Sequence, residues 1–393
     1  MLFNLFIFLF CYYLIPVCII GYGFFFLRLN QISFKEINFG YAGLSGLFLI
    51  LIYSYVSNLI LPHSTFHNLI FLTIGIILFL FFFKLNYSIF KKEIFFYLIV
   101  FTILLPSIFI YKNHDDFAYY HFPYTFYLTQ SSFNIGVGQF NHGFRTPSSI
   151  FYLNSLLYLP FVKYYLLNFS ALFILGFANI IFFKKLIFYF KKLRGKVEFV
   201  DYTKFLIIFS FIFVNIFFYR IGEHGTDRSA QIIIFILIIS MLEVFYTKKI
   251  NNIELLYLYV LLGLIISLKA FYILYLVLFI PLFLFVYDNK KNLFESLKFF
   301  LKNKIFISIL TLILLILFTY FINTGCLIYP IKFSCFENLS WSIPLLEVSQ
   351  MNDWYKLWSK AGAGPNFRVE NPEIYIQGFN WVSNWTDNYF FNK

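Results

Sequence analysis

The chain contains a single pair of adjacent aspartates, and it lies in a polar segment that follows a long apolar run. Asp115 and Asp116 are accompanied by His114 and His121, with His142 further along the same segment. Carboxylates just outside a membrane can accept a proton from an incoming hydroxyl group or bind a divalent cation. They can equally cap a helix end in water, because Asp is a favoured N-cap residue. The residue types therefore leave a catalytic and a structural role open.

Two further polar positions lie at short turns between apolar runs. The turn at residues 220–228 is rich in ionisable residues, among them Glu223, Asp227 and Arg228, and Lys269 interrupts an otherwise uncharged apolar stretch. A lysine in the middle of a membrane-spanning helix is costly, so we expect Lys269 at the top of a tight turn. Such a cation can bind a phosphate near the lipid head groups, or simply extend toward water.

The composition indicates a membrane protein rather than a soluble domain. Hydrophobic residues make up 61% of the 393 residues and charged residues only 12%, against about 25% charged residues in typical soluble chains. A soluble domain has too little interior to bury so much apolar surface, whereas a bilayer accommodates helices that are apolar on every side. The net charge of +12 does not indicate nucleic-acid binding, because basic residues of membrane proteins collect in cytoplasmic loops.

About ten apolar runs are long enough to cross a membrane as helices. They lie roughly at residues 5–27, 41–61, 67–83, 94–111, 164–183, 205–219, 229–246, 254–268, 270–287 and 305–322. The predicted fold class is therefore an all-α polytopic membrane protein.

The distribution of basic residues predicts the orientation of these spans. Nineteen of the 30 Lys and Arg residues lie in alternate loops, at 28–40, 84–93, 184–204, 247–253 and 288–304. Cytoplasmic loops carry an excess of Lys and Arg, so these five loops are predicted to face the cytoplasm. Both termini, the long loop after the fourth span and the C-terminal tail are then predicted to face outward.

Four segments follow from this topology. They are the first four helices at 1–111, an outward acidic loop with an amphipathic segment at 112–163, six helices at 164–322 and an outward tail at 323–393. All five tryptophans lie in the tail, where they indicate an interfacial aromatic belt or a surface that stacks on sugar rings. Cys326 and Cys335 can form a disulfide if the tail is extracytoplasmic.

The Asp pair in the outward loop and the cations at later outward turns resemble the motifs of the lipid-sugar-dependent membrane glycosyltransferases of the GT-C superfold, in residue type and in order along the chain. The similarity is closer to a group of largely uncharacterised bacterial envelope proteins with the same kind of fold. The matching motifs are Asp115-Asp116-x-x-x-Tyr120-His121, Gly143-x-Arg145-x-x-x-Ser149, Gly225-Thr226-Asp227, Ser267-Leu268-Lys269, Tyr329-Pro330 and Leu339-Ser340-Trp341. The acidic segment follows the fourth apolar run here, whereas in the best-studied GT-C enzymes it follows the first. The resemblance also implies further spans after Lys393, so we expect a shortened or compact version of these proteins.

The resemblance implies the inverting transfer of a sugar from a polyprenyl-phosphate donor to an acceptor hydroxyl. A loop aspartate, Asp115 or Asp116, would remove the proton of the acceptor. Fixed cations would stabilise the negative charge that develops on the leaving phosphate. The residues expected to bind the donor and its phosphate are Arg145, Arg228, Lys269, His121, Asp227 and Glu223. Either of the last two would alternatively orient an arginine or bind a divalent metal, and the residue types leave the metal open.

Two other functions fit the same residues. A transporter or flippase of lipid-linked glycans places ionisable residues at mid-membrane, whereas the charged residues here lie toward the ends of the apolar runs. A non-catalytic envelope assembly subunit would need no catalytic base. A transferase acts on one donor molecule, so we expect Asp115 or Asp116, Lys269 and the 220–228 turn within about 10–15 Å of a common point. The expected location is a bacterial inner membrane, with a lipid-linked sugar and membrane lipids as partners and no nucleic acid.

Overall fold

Most of the described chain is helical, as the apolar runs predict. The structure, a computed structural model, describes residues 2–34, 37–110, 116–191, 199–218, 226–248, 250–301, 304–364 and 367–391. Asp115 and Glu223, with most of the 220–228 turn, lie outside the described residues.

The chain forms two compact units. The first unit contains residues 1–133 and 147–316, and the second contains residues 134–146 and 317–393. The middle of the predicted outward loop thus belongs to the same unit as the tail, and the two units divide the chain differently from the four predicted segments.

Eight helices in the described part of the chain are long and apolar enough to cross a membrane. They are Asn4–Leu29, Phe39–Asn58, Thr65–Leu85, Tyr87–Phe109, Ser170–Phe190, Thr226–Thr247, Ala270–Lys290 and Lys304–Thr324. Two shorter apolar helices span Tyr202–Phe217 and Asn252–Leu268. Every predicted apolar run overlaps one of these helices. The prediction of a helical polytopic protein is therefore confirmed.

The helices are numbered in chain order. They are α1 (Leu2–Leu29), α2 (Phe39–Asn58), α3 (Thr65–Leu85), α4 (Tyr87–Leu104), α5 (Phe122–Gln130), α6 (Ser149–Ser155), α7 (Ser170–Lys191), α8 (Phe199–Phe217), α9 (Thr226–Thr247), α10 (Asn252–Leu268), α11 (Phe279–Lys290), α12 (Leu293–Leu301), α13 (Lys304–Thr324), α14 (Leu345–Ser359), α15 (Pro372–Ile376) and α16 (Val382–Thr386). A 3-10 helix, Ala270–Leu278, leads into α11, and a π-helix, Phe117–His121, leads into α5.

Polar side chains fix where several of these apolar helices begin. The Asn38 side chain accepts a hydrogen bond from the backbone N–H of Gly40 at 2.7 Å, at the start of α2. At the start of α10, Asn251 and Glu254 form a capping box, in which each side chain accepts from the backbone N–H of the other. These bonds satisfy backbone donors that the first turn of a helix leaves without a partner.

Helix α1 lies close to both α2 and α3, because glycines lie where these helices meet. A Cβ atom at Gly46 would lie 1.9 Å from the carbonyl oxygen of Ile19, and one at Gly21 would lie 2.0 Å from that of Gly75. Small residues allow this backbone approach between membrane helices, where packing and not the hydrophobic effect holds helices together. Any larger residue at either glycine would push the helices apart.

Two ion pairs join helix ends that the loop charges predict to be cytoplasmic. Glu93 at the start of α4 pairs with Lys184 on α7 and also accepts a hydrogen bond from the backbone N–H of Phe39, at 3.1 Å. Glu243 on α9 pairs with Lys185 on α7. Four helices therefore meet at this end of the first unit, which we call the lysine-rich end.

The second unit is smaller and is stabilised by a disulfide. Cys326 and Cys335 are bonded, with Cα atoms 3.8 Å apart, so the prediction that they pair is confirmed. Trp354 and Trp358 stack on one face of α14 with ring centroids 6.3 Å apart, as their spacing predicts. A short antiparallel hairpin follows, made of β1 (Ala363–Gly364) and β2 (Phe367–Arg368); it adds two brief strands to a fold predicted as all-α.

Candidate functional site

Several described members of the predicted site in the first unit connect to α6 directly or through a neighbouring residue. This seven-residue helix is buried along its whole length. The Ser148 side chain caps it by accepting a hydrogen bond from the backbone N–H of Ile150 at 3.3 Å. Tyr55 on α2 stacks on Tyr152 with ring centroids 4.0 Å apart, and its hydroxyl lies 2.8 Å from that of Ser149. We call α6 and the polar residues that contact it the α6 site.

The acidic end of the α6 site is built on the π-helix. Tyr120 donates a hydrogen bond from its hydroxyl to the Asp116 carboxylate at 3.1 Å. His121 is buried, and its ring lies 5.1 Å from that of Phe151 on α6. Tyr120 also contacts Phe151, with centroids 6.3 Å apart. Single-turn π-helices are rare in proteins overall, and many of those that occur lie at functional sites. Asp116 is therefore held in a defined place beside α6.

The cationic end of the α6 site lies where α10 meets the 3-10 helix. Lys269 is the one residue between them and has an extended backbone; its predicted place at the top of an outward turn stays a prediction. Its ammonium group donates to the Asp227 carboxylate at 2.7 Å, with both side chains about half-exposed. Ser148 donates from its hydroxyl to the carbonyl oxygen of Leu268 at 2.5 Å. The residue before Lys269 is thus bound to the start of α6.

Both ends therefore meet on one helix. Asp116 reaches it through Tyr120 and Phe151, and Lys269 reaches it through Leu268 and Ser148. Ser148 and Phe151 are three residues apart, which corresponds to about 4.5 Å along a helix axis. Asp116, through Tyr120, and His121 are thus linked to Phe151 on α6, and the residue before Lys269 is linked to the start of α6. The convergence of the Asp116 carboxylate, the Lys269 ammonium group and the 220–228 turn on a common point stays a prediction.

Arg228 lies beside Asp227 in the first turn of α9 and is partly buried. Asp115 and Glu223 lie outside the described residues, so their places at the site remain predictions. Among the residues that are described, no group of three or more His, Cys, Asp or Glu side chains lies close enough to hold a metal ion.

Sequence reasoning missed a polar cluster at the other end of α6. His63 lies in the turn between α2 and α3, and its ring nitrogens lie 2.6 Å from the Ser155 hydroxyl and 3.0 Å from the Ser57 hydroxyl. Asn68 donates to the carbonyl oxygens of Ser155 and Tyr158 at 2.8 and 3.0 Å. The two histidines and one asparagine in the stretch His63-Ser64-Thr65-Phe66-His67-Asn68 were the available signal.

Burial determines the charge of His63. Removal of the ring from water, together with the nearby His67, lowers the pKa of His63 to about 3, because desolvation disfavours the charged form. His63 is therefore a neutral hydrogen-bonding group at pH 7 that holds α6 in place.

Arg145 lies in the second unit and is bound within it. The residue is 4% exposed, and its guanidinium donates to the Glu347 carboxylate at 2.6 Å, the Tyr329 hydroxyl at 2.7 Å and the carbonyl oxygen of Gly138 at 3.2 Å. Burial opposes its charge, but the bonds to Glu347 and Tyr329 outweigh burial and raise the pKa of Arg145. A phosphate would have to displace Glu347 or Tyr329 to bind Arg145. These contacts therefore indicate a structural role for Arg145 and not the predicted phosphate-binding role.

A family model matches the whole chain, over residues 1–393, and its description is a domain of unknown function, DUF8201. The chain belongs to this family. No curated protein and no solved structure matches it. The family covers both units, so the α6 site and the disulfide-bonded unit are parts of one family domain.

Proposed function

We propose that this DUF8201 protein is a membrane glycosyltransferase. It would transfer a sugar from a polyprenyl-phosphate donor to an envelope glycan or lipid on the outer face of a bacterial inner membrane. The observation that carries the proposal is that Tyr120, which binds Asp116, and Leu268, which precedes Lys269, both contact α6 or its N-cap residue Ser148. A helix that holds a carboxylate and a cation together can position both on one donor molecule.

The proposed topology has ten spans with both termini outward. It is supported by the contacts at the two ends of the first unit. Three turns predicted to face outward, those that contain His63, Asp116 and Lys269, all contact α6 or its flanking residues. The predicted cytoplasmic ends meet elsewhere, in the pairs that Glu93 and Glu243 form with α7. If the membrane sides are assigned correctly, turns should contact other turns of the same predicted side, as these contacts do.

In the proposed reaction, Asp116 or Asp115 takes the proton of an acceptor hydroxyl. The acceptor oxygen forms a bond to the anomeric carbon as the bond from that carbon to the phosphate oxygen breaks, and the electron pair leaves with the lipid phosphate. Lys269 and Arg228 stabilise that negative charge, while Asp227 orients the Lys269 ammonium group. Tyr120 orients the Asp116 carboxylate through its hydrogen bond. His121 is buried against Phe151 and positions the π-helix, and Arg145 stabilises the second unit.

Turnover of radiolabelled polyprenyl-phosphate hexoses by the purified protein in lipid nanodiscs tests this proposal. Asp116→Asn and Asp115→Asn keep the side-chain shape but remove the base, so at least one should lower the turnover about 10²- to 10⁴-fold. Asp353→Asn is the matched control, because Asp353 is exposed and pairs with Lys356 three positions away, and with no other residue that the structure describes. Equal turnover by the wild type and both Asn variants would contradict a catalytic aspartate.

One observation favours the transporter as a second candidate. The nine residues Ala270–Leu278 form a 3-10 helix at the start of a membrane-spanning segment, and such runs longer than three or four residues are uncommon and often mark hinges. Transporters use interrupted spans of this kind at their binding sites. Movement of a fluorescent lipid-linked glycan between vesicle leaflets, unaffected by Asp116→Asn, would favour this candidate over the transferase.

A further inference from the structure

A cavity of about 540 Å³ opens at the lysine-rich end of the first unit. The end of α1 and the turn after it line the cavity with Asn30 and Gln31, and the start of α10 lines it with Asn252. Residues at the end of α11, on α12 and at the start of α13 also line it. Cavities that hold small ligands commonly measure about 300–1,000 Å³. This volume therefore suits a group larger than a single ion.

The charged lining of the cavity is mainly positive. Lys290, Lys298 and Lys304 face it, with Glu295 as the one acidic lining residue among the described residues. Neither Lys298 nor Lys304 forms an ion pair with any described residue. Three ammonium groups around one concave space raise the local concentration of anions. Since α10 and α13 both begin here, the positive ends of their dipoles add to the same potential.

Helix α12 forms part of the cavity wall, and its exposed residues indicate how deep in the membrane the cavity lies. Leu293, Phe294, Leu297 and Leu301 on this helix are exposed, whereas Ser296 and Phe300 are buried. α12 is nine residues long and lies between two membrane-spanning segments. A short helix with an exposed apolar face and flanking lysines lies in the membrane interface, with that face among the upper acyl chains. The cavity therefore opens at the depth of the lipid head groups.

We propose that this cavity binds a phosphate ester, and that in the membrane its ligand is the phosphate of an anionic lipid head group. Lys298 and Lys304 are the principal contacts, and Lys290 and the Asn30 and Asn252 amides complete the lining. Lysine-lined pockets between membrane helices on the cytoplasmic side suit anionic head groups. The site lies at the far end of α10 from Lys269, so it is separate from the α6 site and does not depend on the proposed transferase activity.

The test measures the binding of phosphatidylglycerol to the whole purified protein. The protein in phosphatidylcholine nanodiscs is titrated with phosphatidylglycerol, and bound lipid is counted by native mass spectrometry. Replacement of both lysines, Lys298→Gln with Lys304→Gln, should lower the affinity at least about tenfold. The control, Lys84→Gln with Lys91→Gln, removes two exposed lysines from the same predicted membrane side but outside the cavity, and should change the affinity less than about twofold.

A second arm separates the two sources of phosphate. Inorganic phosphate and glycerol phosphate are titrated into the protein in phosphatidylcholine nanodiscs, and the thermal unfolding midpoint is recorded. Lipid binding without stabilisation by soluble phosphate identifies a lipid head-group site, and stabilisation that disappears in the cavity variant identifies a site for soluble phosphate esters. Lys298→Arg with Lys304→Arg should retain binding, which excludes misfolding as the cause of any loss. Equal loss in the cavity and control variants, or no anion binding by the wild type, would overturn the proposal.

Discussion

The two ends of the first unit use polar residues in different ways. At the α6 site the charged residues are few, and uncharged groups such as His63 and Tyr55 form hydrogen bonds to serines of the buried helix. At the lysine-rich end charges are many, and they serve two purposes: Glu93 and Glu243 pair with lysines between helices, while exposed lysines such as Lys298 line a cavity. High charge density therefore accompanies the end that is predicted to be cytoplasmic, whereas hydrogen bonds to one buried helix organise the end that is predicted to face outward.

A topology reporter gives the largest expected effect, because its outcome is all-or-none. A reporter that is active only outside the cytoplasm should be active when fused after Lys393 and inactive when fused after Lys196. The loop that contains Lys196 is rich in Lys and Arg, and such loops are retained in the cytoplasm. The reverse pattern would place the lysine-rich end outside and the α6 site on the cytoplasmic side, and would contradict the proposed topology.

Removal of one partner from the buried pair at the lysine-rich end should reduce stability strongly. Glu93→Gln keeps an acceptor for the backbone N–H of Phe39 but leaves Lys184 without its carboxylate. Because Glu93 is buried and Lys184 is only partly exposed, we expect a loss of about 2–4 kcal/mol in the free energy of unfolding. All five tryptophans lie in the second unit, so the transition of the first unit should be followed by circular dichroism. A loss below about 0.5 kcal/mol would show that the pair contributes little.

The sequence predicted the helices better than it predicted the site. Apolar length and alternating Lys and Arg are local properties, so each predicted run overlaps a helix. The bond between Cys326 and Cys335 was suggested by their place in a polar tail that is predicted to face outward. The contacts of α6 were not predictable from its seven residues, which lie in the loop predicted at 112–163, because its partners Tyr55, Tyr120 and Leu268 come from distant parts of the chain. For Arg145 the sequence motif predicted a phosphate-binding cation, but the Glu347 carboxylate, 202 residues away, binds its guanidinium group.

The pH dependence of stability should differ between the two ends because of His63. Its pKa is lowered to about 3 in the folded chain from an ordinary value near 6.5, so protons favour the unfolded state. Stability should be constant above about pH 6.5 and fall by about 2 kcal/mol by pH 5. His63→Gln should flatten this part of the profile, while the exposed His142→Gln in the second unit should not. An unchanged slope in His63→Gln would assign the pH dependence to other groups.

The smallest expected effect on stability lies at the Asp227–Lys269 pair, and it gives the sharpest contrast with Glu93. Both side chains are about half-exposed, and exposed pairs contribute less than about 1 kcal/mol. Lys269→Gln should therefore leave the unfolding transition of the first unit nearly unchanged. If Lys269 stabilises the leaving phosphate, the same variant should still lower the kcat of sugar transfer about 10²-fold, since such contacts act mainly in the transition state. Lys269→Arg should restore part of the rate because it keeps the charge. A large loss of stability with an unchanged rate per folded molecule would assign Lys269 to the structure of the turn, and the cationic half of the α6 site would then have to be sought at Arg228.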